Sequence, residues 1–266
     1  MKYFLASILI LSFLAAAAAP QAMPASQGLS ADQENSRKAK ALLDQTIQAL
    51  GGQAYLSIQD ISQEGRTYSF HHGQPNSLGT LFWRFYKFPD EERIELTKQR
   101  DVVYVINGDK GYEITYKGTA QQSAKDLADG LRRRHYSLDW VLRKWLNEPG
   151  IALFYDGATV AEQKPVEQVS IMNAKNEGVT LYLSSDDYLP VKKSYSWRDP
   201  TDKQRNVEEE VYDNYRLVQG IMTPYTITRF YNGDMAGQRF LTSVKYNEGL
   251  SHSKFEAQPT DNPKAR

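Results

Sequence analysis

From Ile58 to Asn247 the sequence breaks into short runs rich in β-branched and aromatic residues, with turn signals between them at close intervals. The runs cover 58–70, 78–88, 91–97, 101–107 and 111–117, and then 151–156, 166–173, 178–184, 188–197, 206–218, 221–231 and 237–247. Pro89-Asp90, Asn107-Gly108, Asp186-Asp187, Asp199-Pro200 and Asn232-Gly233 mark breaks with residues that favour turns. Neighbouring runs this close can be joined only as antiparallel pairs, because a parallel connection needs roughly a dozen residues or more.

Two stretches interrupt this pattern with a helical period. From Ser30 to Leu50 the residues Ala39, Leu42, Leu43, Thr46, Ile47 and Leu50 fall on one stripe, Ser30 and Gln33 form a capping box, and Gly51-Gly52 ends the helix. Between residues 121 and 147 a second stripe runs from Ala124 through Leu127, Leu131 and Leu138 to Trp145. A break is expected near 130–136, with Ser137 capping the helix that follows. An open sheet of this many strands must curl to stay well packed. The expected fold class is therefore α+β: a strongly curved antiparallel sheet, a half-barrel of about 11–12 strands, with two to three helices packed in the concave face as a lid.

The N-terminus reads as an address. Lys2 precedes an apolar run over 3–19, and small or turn residues follow at Pro20, Ala22, Pro24, Ala25 and Ser26. The expected segmentation is a cleaved signal peptide over 1–19, a single domain over 30–259 and a flexible tail over 260–266. Localisation is then periplasmic, with no lipid anchor, because the chain contains no cysteine.

Composition narrows the chemistry. Absent cysteine excludes disulfide frameworks, thiol nucleophiles and thiolate metal sites. The 32 basic residues match the 32 acidic ones, which argues against nucleic acid as a partner. No nucleophile elbow, phosphate loop or paired metal-ligand spacing occurs, so no enzyme, cofactor or metal is expected. His71 and His72 read as exposed residues at a hairpin tip, pointing to opposite sides of the sheet. His135 reads as partly buried and hydrogen-bonded. The run Arg132, Arg133, Arg134 reads as a solvated face, and Glu208, Glu209, Glu210 as an edge-protecting or solvated run whose members alternate faces.

Large side chains are distributed more informatively. Over 78–88, alternation places Leu81, Trp83 and Phe85 on one side of a strand and Phe82, Tyr86 and Phe88 on the other. Both faces are aromatic, so one is expected to meet the helices and the other to need a partner or ligand. Ile94 and Leu96, then Tyr104 and Ile106, then Tyr112 and Ile114 continue apolar stripes on the next strands. Leu81, Trp83, Phe85, Ile94, Leu96, Tyr104, Ile106, Tyr112 and Ile114 are the candidate lining of an apolar ligand cavity, against the simpler reading of core under helices.

Several of these motifs resemble a known family. Residues 79–84 (GTLFWR), then Phe88-Pro89 and the run from Arg93 to Leu96, look like the early strand pair of the LolA-like periplasmic lipoprotein carriers. Residues 103–112 resemble that family's next hairpin. Tyr188 to Val191, Tyr215 to Pro224, Tyr246-Asn247 and Phe255 to Pro259 are similar to outer-membrane lipoprotein-sorting proteins. The resemblance implies a curled sheet, a helical lid and an apolar cavity for lipid or lipoprotein acyl chains. It further implies a lid-latching arginine near the first strand pair, at Arg84 or Arg93. The expected function is a monomeric periplasmic carrier or binding protein for acyl chains, with membrane-associated transport components as further partners. The alternative is a sensory or scaffold module of the same fold, binding a protein through Phe82, Tyr86 and Tyr231.

Overall fold

Ser30 caps the first helix by accepting a hydrogen bond from the Gln33 backbone N–H, and the Gln33 side chain accepts from the Ser30 N–H in return. This capping box starts helix α1 (Ala31–Leu50), whose buried stripe is Ala39, Leu42, Leu43, Thr46 and Leu50. A single turn, α2 (Gln53–Leu56), follows. The computed structural model describes residues 30–257. The expected signal peptide and the tail over 260–266 lie outside the described residues.

From Asp60 the chain lays down β1 (Asp60–His71), β2 (Gln74–Pro75), β3 (Thr80–Lys87), β4 (Glu91–Leu96), β5 (Val102–Asn107), β6 (Lys110–Thr115) and β7 (Gly118–Gln121). Helices α3 (Ala124–His135) and α4 (Leu138–Arg143) and a 3-10 turn (Trp145–Asn147) come next. The second series is β8 (Ala152–Ala161), β9 (Lys164–Met172), β10 (Gly178–Ser184), β11 (Pro190–Arg198), β12 (Arg205–Val218), β13 (Ile221–Tyr231) and β14 (Asp234–Tyr246), and a 3-10 turn (His252–Phe255) follows.

All pairs are antiparallel in one curved, unclosed sheet, ordered β7-β6-β5-β4-β3-β1-β14-β13-β12-β11-β10-β9-β8, with β2 paired to β1. The first series therefore meanders outward from β1, and the helices carry the chain across to the opposite edge. The second series then meanders back until β14 pairs with β1. The sheet has fourteen strands where about twelve were expected. The additions are short: two residues at β2 and four at β7.

Helices α1 to α4 lie in the concave face. Trp145, Val141 and Leu142 pack with Leu43, Val169, Ile171, Leu181, Val244 and Tyr246 in one core. A small second cluster, Ala161, Val166, Val191 and half-buried Tyr182, lies on the convex side. The break expected within 130–136 falls at the end of that range, and α3 runs past Gly130 to His135. Gly130 provides room instead, since a Cβ there would lie 2.8 Å from Ile106 Cδ1. The actual break is at Tyr136, after which Ser137 accepts from the Trp140 backbone N–H to cap α4.

Candidate functional site

The strand registers decide which side chains share a face. Gln63, Arg84, Ile94 and Tyr104 are successive cross-strand partners, as are Ile61, Tyr86, Glu92 and Ile106. Ile106 lies against Gly130 of α3, so this is the concave, helix-facing side. Phe82, Leu96 and Val102 belong to it too. The other face carries Phe85, Arg93, Val105 and Tyr112, and beside them Trp83, Glu95, Val103 and Ile114.

The nine residues expected to line one cavity are thus split. Ile94, Leu96, Tyr104 and Ile106 are concave, and Leu81, Trp83, Phe85, Tyr112 and Ile114 are convex. The second aromatic face is covered by the chain itself. Residues 248–257 cross β3, β4 and β5 on the convex side as a strap. Asp60 accepts the backbone N–H groups of Glu248, Gly249 and Leu250 at 2.8, 2.9 and 3.1 Å. Lys87 donates to the Leu250 carbonyl, Arg93 to that of Lys254 and Asn107 to that of Phe255. Lys254 lies 3.5 Å above the Phe85 ring, and Phe255 is sealed from solvent. Trp83 has its own cover, the Arg100 guanidinium at 4.0 Å.

On the concave side, α1 and α4 each bury residues fully, but α3 buries none. Ile94, Leu96, Val102 and Tyr104 remain half-buried. What seats this end of the helical layer is a set of arginines. Arg132 and Arg133 reach Glu208 of β12 at 3.2 and 3.1 Å, and Arg132 also lies 3.5 Å over Trp197. Arg134 donates to the carbonyls of Asp90 and Gly108 at 2.8 and 2.7 Å. Arg143 of α4 donates to the Ile58 carbonyl and stacks on Phe88.

These contacts correct two expectations. The arginine run is not a solvated face: Arg132 is mostly buried and all three side chains bridge helix to sheet. Nor is the glutamate run an edge device, since β12 is interior to the sheet. Its members do alternate. Glu208 and Glu210 are concave, and Glu210 meets Lys193 at 2.8 Å, while Glu209 meets Lys192 at 2.6 Å. Matching charges on strands paired in register, Lys192-Lys193 against Glu209-Glu210, carried the signal in the sequence.

Neither arginine proposed as a latch touches the helices by a hydrogen bond or ion pair among the described residues. Arg84 is concave but bonded to Glu92 at 2.5 Å and to Gln63. Arg93 is convex and paired with Glu95. Bonds between helices and sheet come from the helices' own arginines.

Burial and neighbouring charge both shape titration on the concave face. Burial alone would push the Glu210 carboxyl up, but Lys193, Arg239 and hydrogen bonds from Lys193 and Tyr212 outweigh it and hold the group at about 2. Burial pushes the Tyr136 hydroxyl up to about 12, beneath its stacked partner Tyr195 at 4.1 Å. His135 bonds Glu177 at 2.9 Å and packs on Trp145. His71 and His72 do not diverge: positive φ at His72 turns the chain, and the two rings sit 4.3 Å apart. Among the described residues, no group of three His, Asp or Glu side chains is placed to hold a metal ion.

No protein-family model matches the sequence, and no curated protein matches it. Solved structures do match. A DUF1329 family protein from Desulfovibrio piger superposes with a TM-score of 0.58 at 14% identity, covering 82% of this chain and 97% of that one. The chain has the LolA-like fold. Its likeness extends to a LolA superfamily protein from Nitrosomonas europaea, with a TM-score of 0.51, 11% identity, and 82% and 97% of the two chains covered. An outer-membrane lipoprotein-sorting protein domain from Vibrio parahaemolyticus gives 0.53 at 11% identity, over 83% and 97%. At these identities the LolA-like fold is what is shared. No helix among the described residues is long and apolar enough to cross a membrane.

Proposed function

We propose that this chain is a periplasmic carrier or binding protein that shelters acyl chains of lipids or lipoproteins between its concave sheet and helix α3. The observation that carries the reading is the mismatch at α3. A helix with no fully buried residue is held by arginine side chains over an apolar strip, Ile94, Leu96 and Tyr104, that stays half-buried. An apolar strip under a weakly seated cover is a surface that an acyl chain can occupy by displacing the cover. Each methylene so buried gains about 0.8 kcal/mol, which supplies affinity without a charged anchor. The likeness to a lipoprotein-sorting domain supports the same class of cargo.

The scaffold alternative loses its anchors. Phe82 and Tyr86 are each 3% exposed beneath the helices, leaving Tyr231, which is 39% exposed and bonded to Asn206.

Native mass spectrometry of the protein isolated from periplasm without detergent tests the proposal. Adducts of acyl-lipid mass are expected, and I94D is expected to lose them while remaining folded. A lipid-free protein that also fails to take up a fluorescent fatty acid would overturn it.

A further inference from the structure

Three glutamates occupy the concave face near the centre of the sheet, and each is already engaged. Glu92 holds Arg84, Glu208 holds Arg132 and Arg133, and Glu210 holds Lys193 and accepts from Tyr212. Two further cations share this face, Arg229 directly opposite Glu210 across β12 and β13, and Arg239 one strand on. Ile227 faces Arg239 and Arg229 faces Gly237 across β13 and β14, so Arg229 and Arg239 are diagonal neighbours on one side, with Cα atoms roughly 7–8 Å apart. Both residues are half-buried, yet neither forms a hydrogen bond or an ion pair among the described residues. Their nitrogens are not among the sealed polar atoms, so they open to solvent from within the concave face.

Glu208 and Glu210 beside Arg229, and Glu210 and Glu92 beside Arg239, offset only part of what crowding two guanidiniums costs. Burial and like charge disfavour both: each is pushed down from its ordinary value, first by desolvation, then by Arg133 for Arg229 and by Arg84 for Arg239. A planar donor fork that reaches solvent and donates no hydrogen bond within the chain is well suited to a phosphate, whose oxygens accept paired N–H donors.

We propose that Arg229 and Arg239 form an anion subsite in the concave face that binds a phosphate group, carried by a lipid headgroup or free. With a lipid headgroup, this inference rests on the carrier reading and deepens it: the acyl chains would lie under α3 and the phosphate on β13 and β14. The two arginines then select anionic amphiphiles over neutral ones.

Binding of three probes to the full chain tests this: short-chain phosphatidylglycerol, the diacylglycerol of the same chain length, and inorganic phosphate. Calorimetry is run on the wild type and on R229Q/R239Q. Phosphatidylglycerol is expected to bind about tenfold more tightly than diacylglycerol, and the double variant should lose that preference while retaining diacylglycerol. Binding of inorganic phosphate alone, lost in the variant, keeps the subsite with free phosphate as its source and removes the carrier reading. Equal binding of both lipids, unchanged in the variant, overturns the subsite and leaves the carrier reading intact. No binding of any probe overturns both. Folding is controlled within the same design, since relief of like-charge crowding should raise the thermal midpoint of R229Q/R239Q. R229K/R239K, which keeps the charge without the planar fork, should bind phosphatidylglycerol more weakly than the wild type but more tightly than the glutamine pair.

Discussion

Glu208 of β12, only 3% exposed, receives Arg132 of α3 at 3.2 Å, and this pair ties the connecting helix to the far half of the sheet. Arg132 also bonds Asp129 one turn earlier, so the guanidinium joins a helix acid to a sheet acid. Removing the sheet partner leaves two cations facing an uncharged amide. E208Q is expected to cost about 3 kcal/mol, within the range for breaking a buried pair. Hydrogen exchange should accelerate over 124–135 and stay unchanged over 31–50, where α1 rests on apolar contacts. Uniform acceleration across both helices would contradict the latch.

Acid should weaken the fold through Glu210. Its carboxyl is held at about 2 in the folded chain against an ordinary 4.5. A depressed folded value contributes stability above the unfolded value, and that contribution is lost as pH falls through the folded one. Urea midpoints are therefore expected to decline from about pH 4.5 toward about pH 2. E210Q should start lower at neutral pH, because Lys193 loses its partner, and should fall less steeply over that window.

Two glycines should respond to alanine very differently. At Gly65, where the β1–β14 register shifts, a Cβ would lie 2.1 Å from the Phe240 carbonyl oxygen, a backbone atom that cannot swing aside. G65A is expected to cost about 3 kcal/mol or to prevent folding, as severe overpacking does. At Gly130 the obstacle is the mobile end of Ile106. G130A should be near neutral, because the helix-propensity gain of about 1 kcal/mol offsets the displacement. Thermal melts of both variants check the contrast.

The convex strap depends on one carboxylate. D60A leaves the N–H groups of Glu248, Gly249 and Leu250 without their acceptor and should cost about 2 kcal/mol. Limited proteolysis should then cut within 248–257, which the wild type should resist. Equal resistance in the two proteins would show that Phe255 and the bonds from Lys87, Arg93 and Asn107 hold the strap without Asp60.

Periodicity made the elements legible: every expected strand is present, and Ser30 and Ser137 cap the helices they were assigned to. Faces were harder to read. Alternation separated Phe82 from Trp83 on one strand, but nothing local told which side met the helices. The cover over Phe85 arrives with Lys254, about 170 residues later, and only the folded register brings the two together. Charge was misread for the same reason. Arg132 and Glu208 look solvated when each run is taken alone, and they become buried because the topology makes one the other's counter-ion. Arg229 and Arg239 carried no local signal at all, since an arginine on a strand is ordinary until its neighbours prove to be engaged elsewhere.

Pairing of β1 with β14 also sets a schedule. The meanders β3 to β7 and β8 to β13 close through neighbouring hairpins and need only local search, whereas Ile61 meets Tyr246 across nearly the whole domain. Contacts of such sequence separation form slowly. During synthesis, the β1 edge therefore stands bare, apart from β3, until β14 has left the ribosome. The seam at the centre of the finished sheet is the place where the nascent chain is exposed longest to wrong partners.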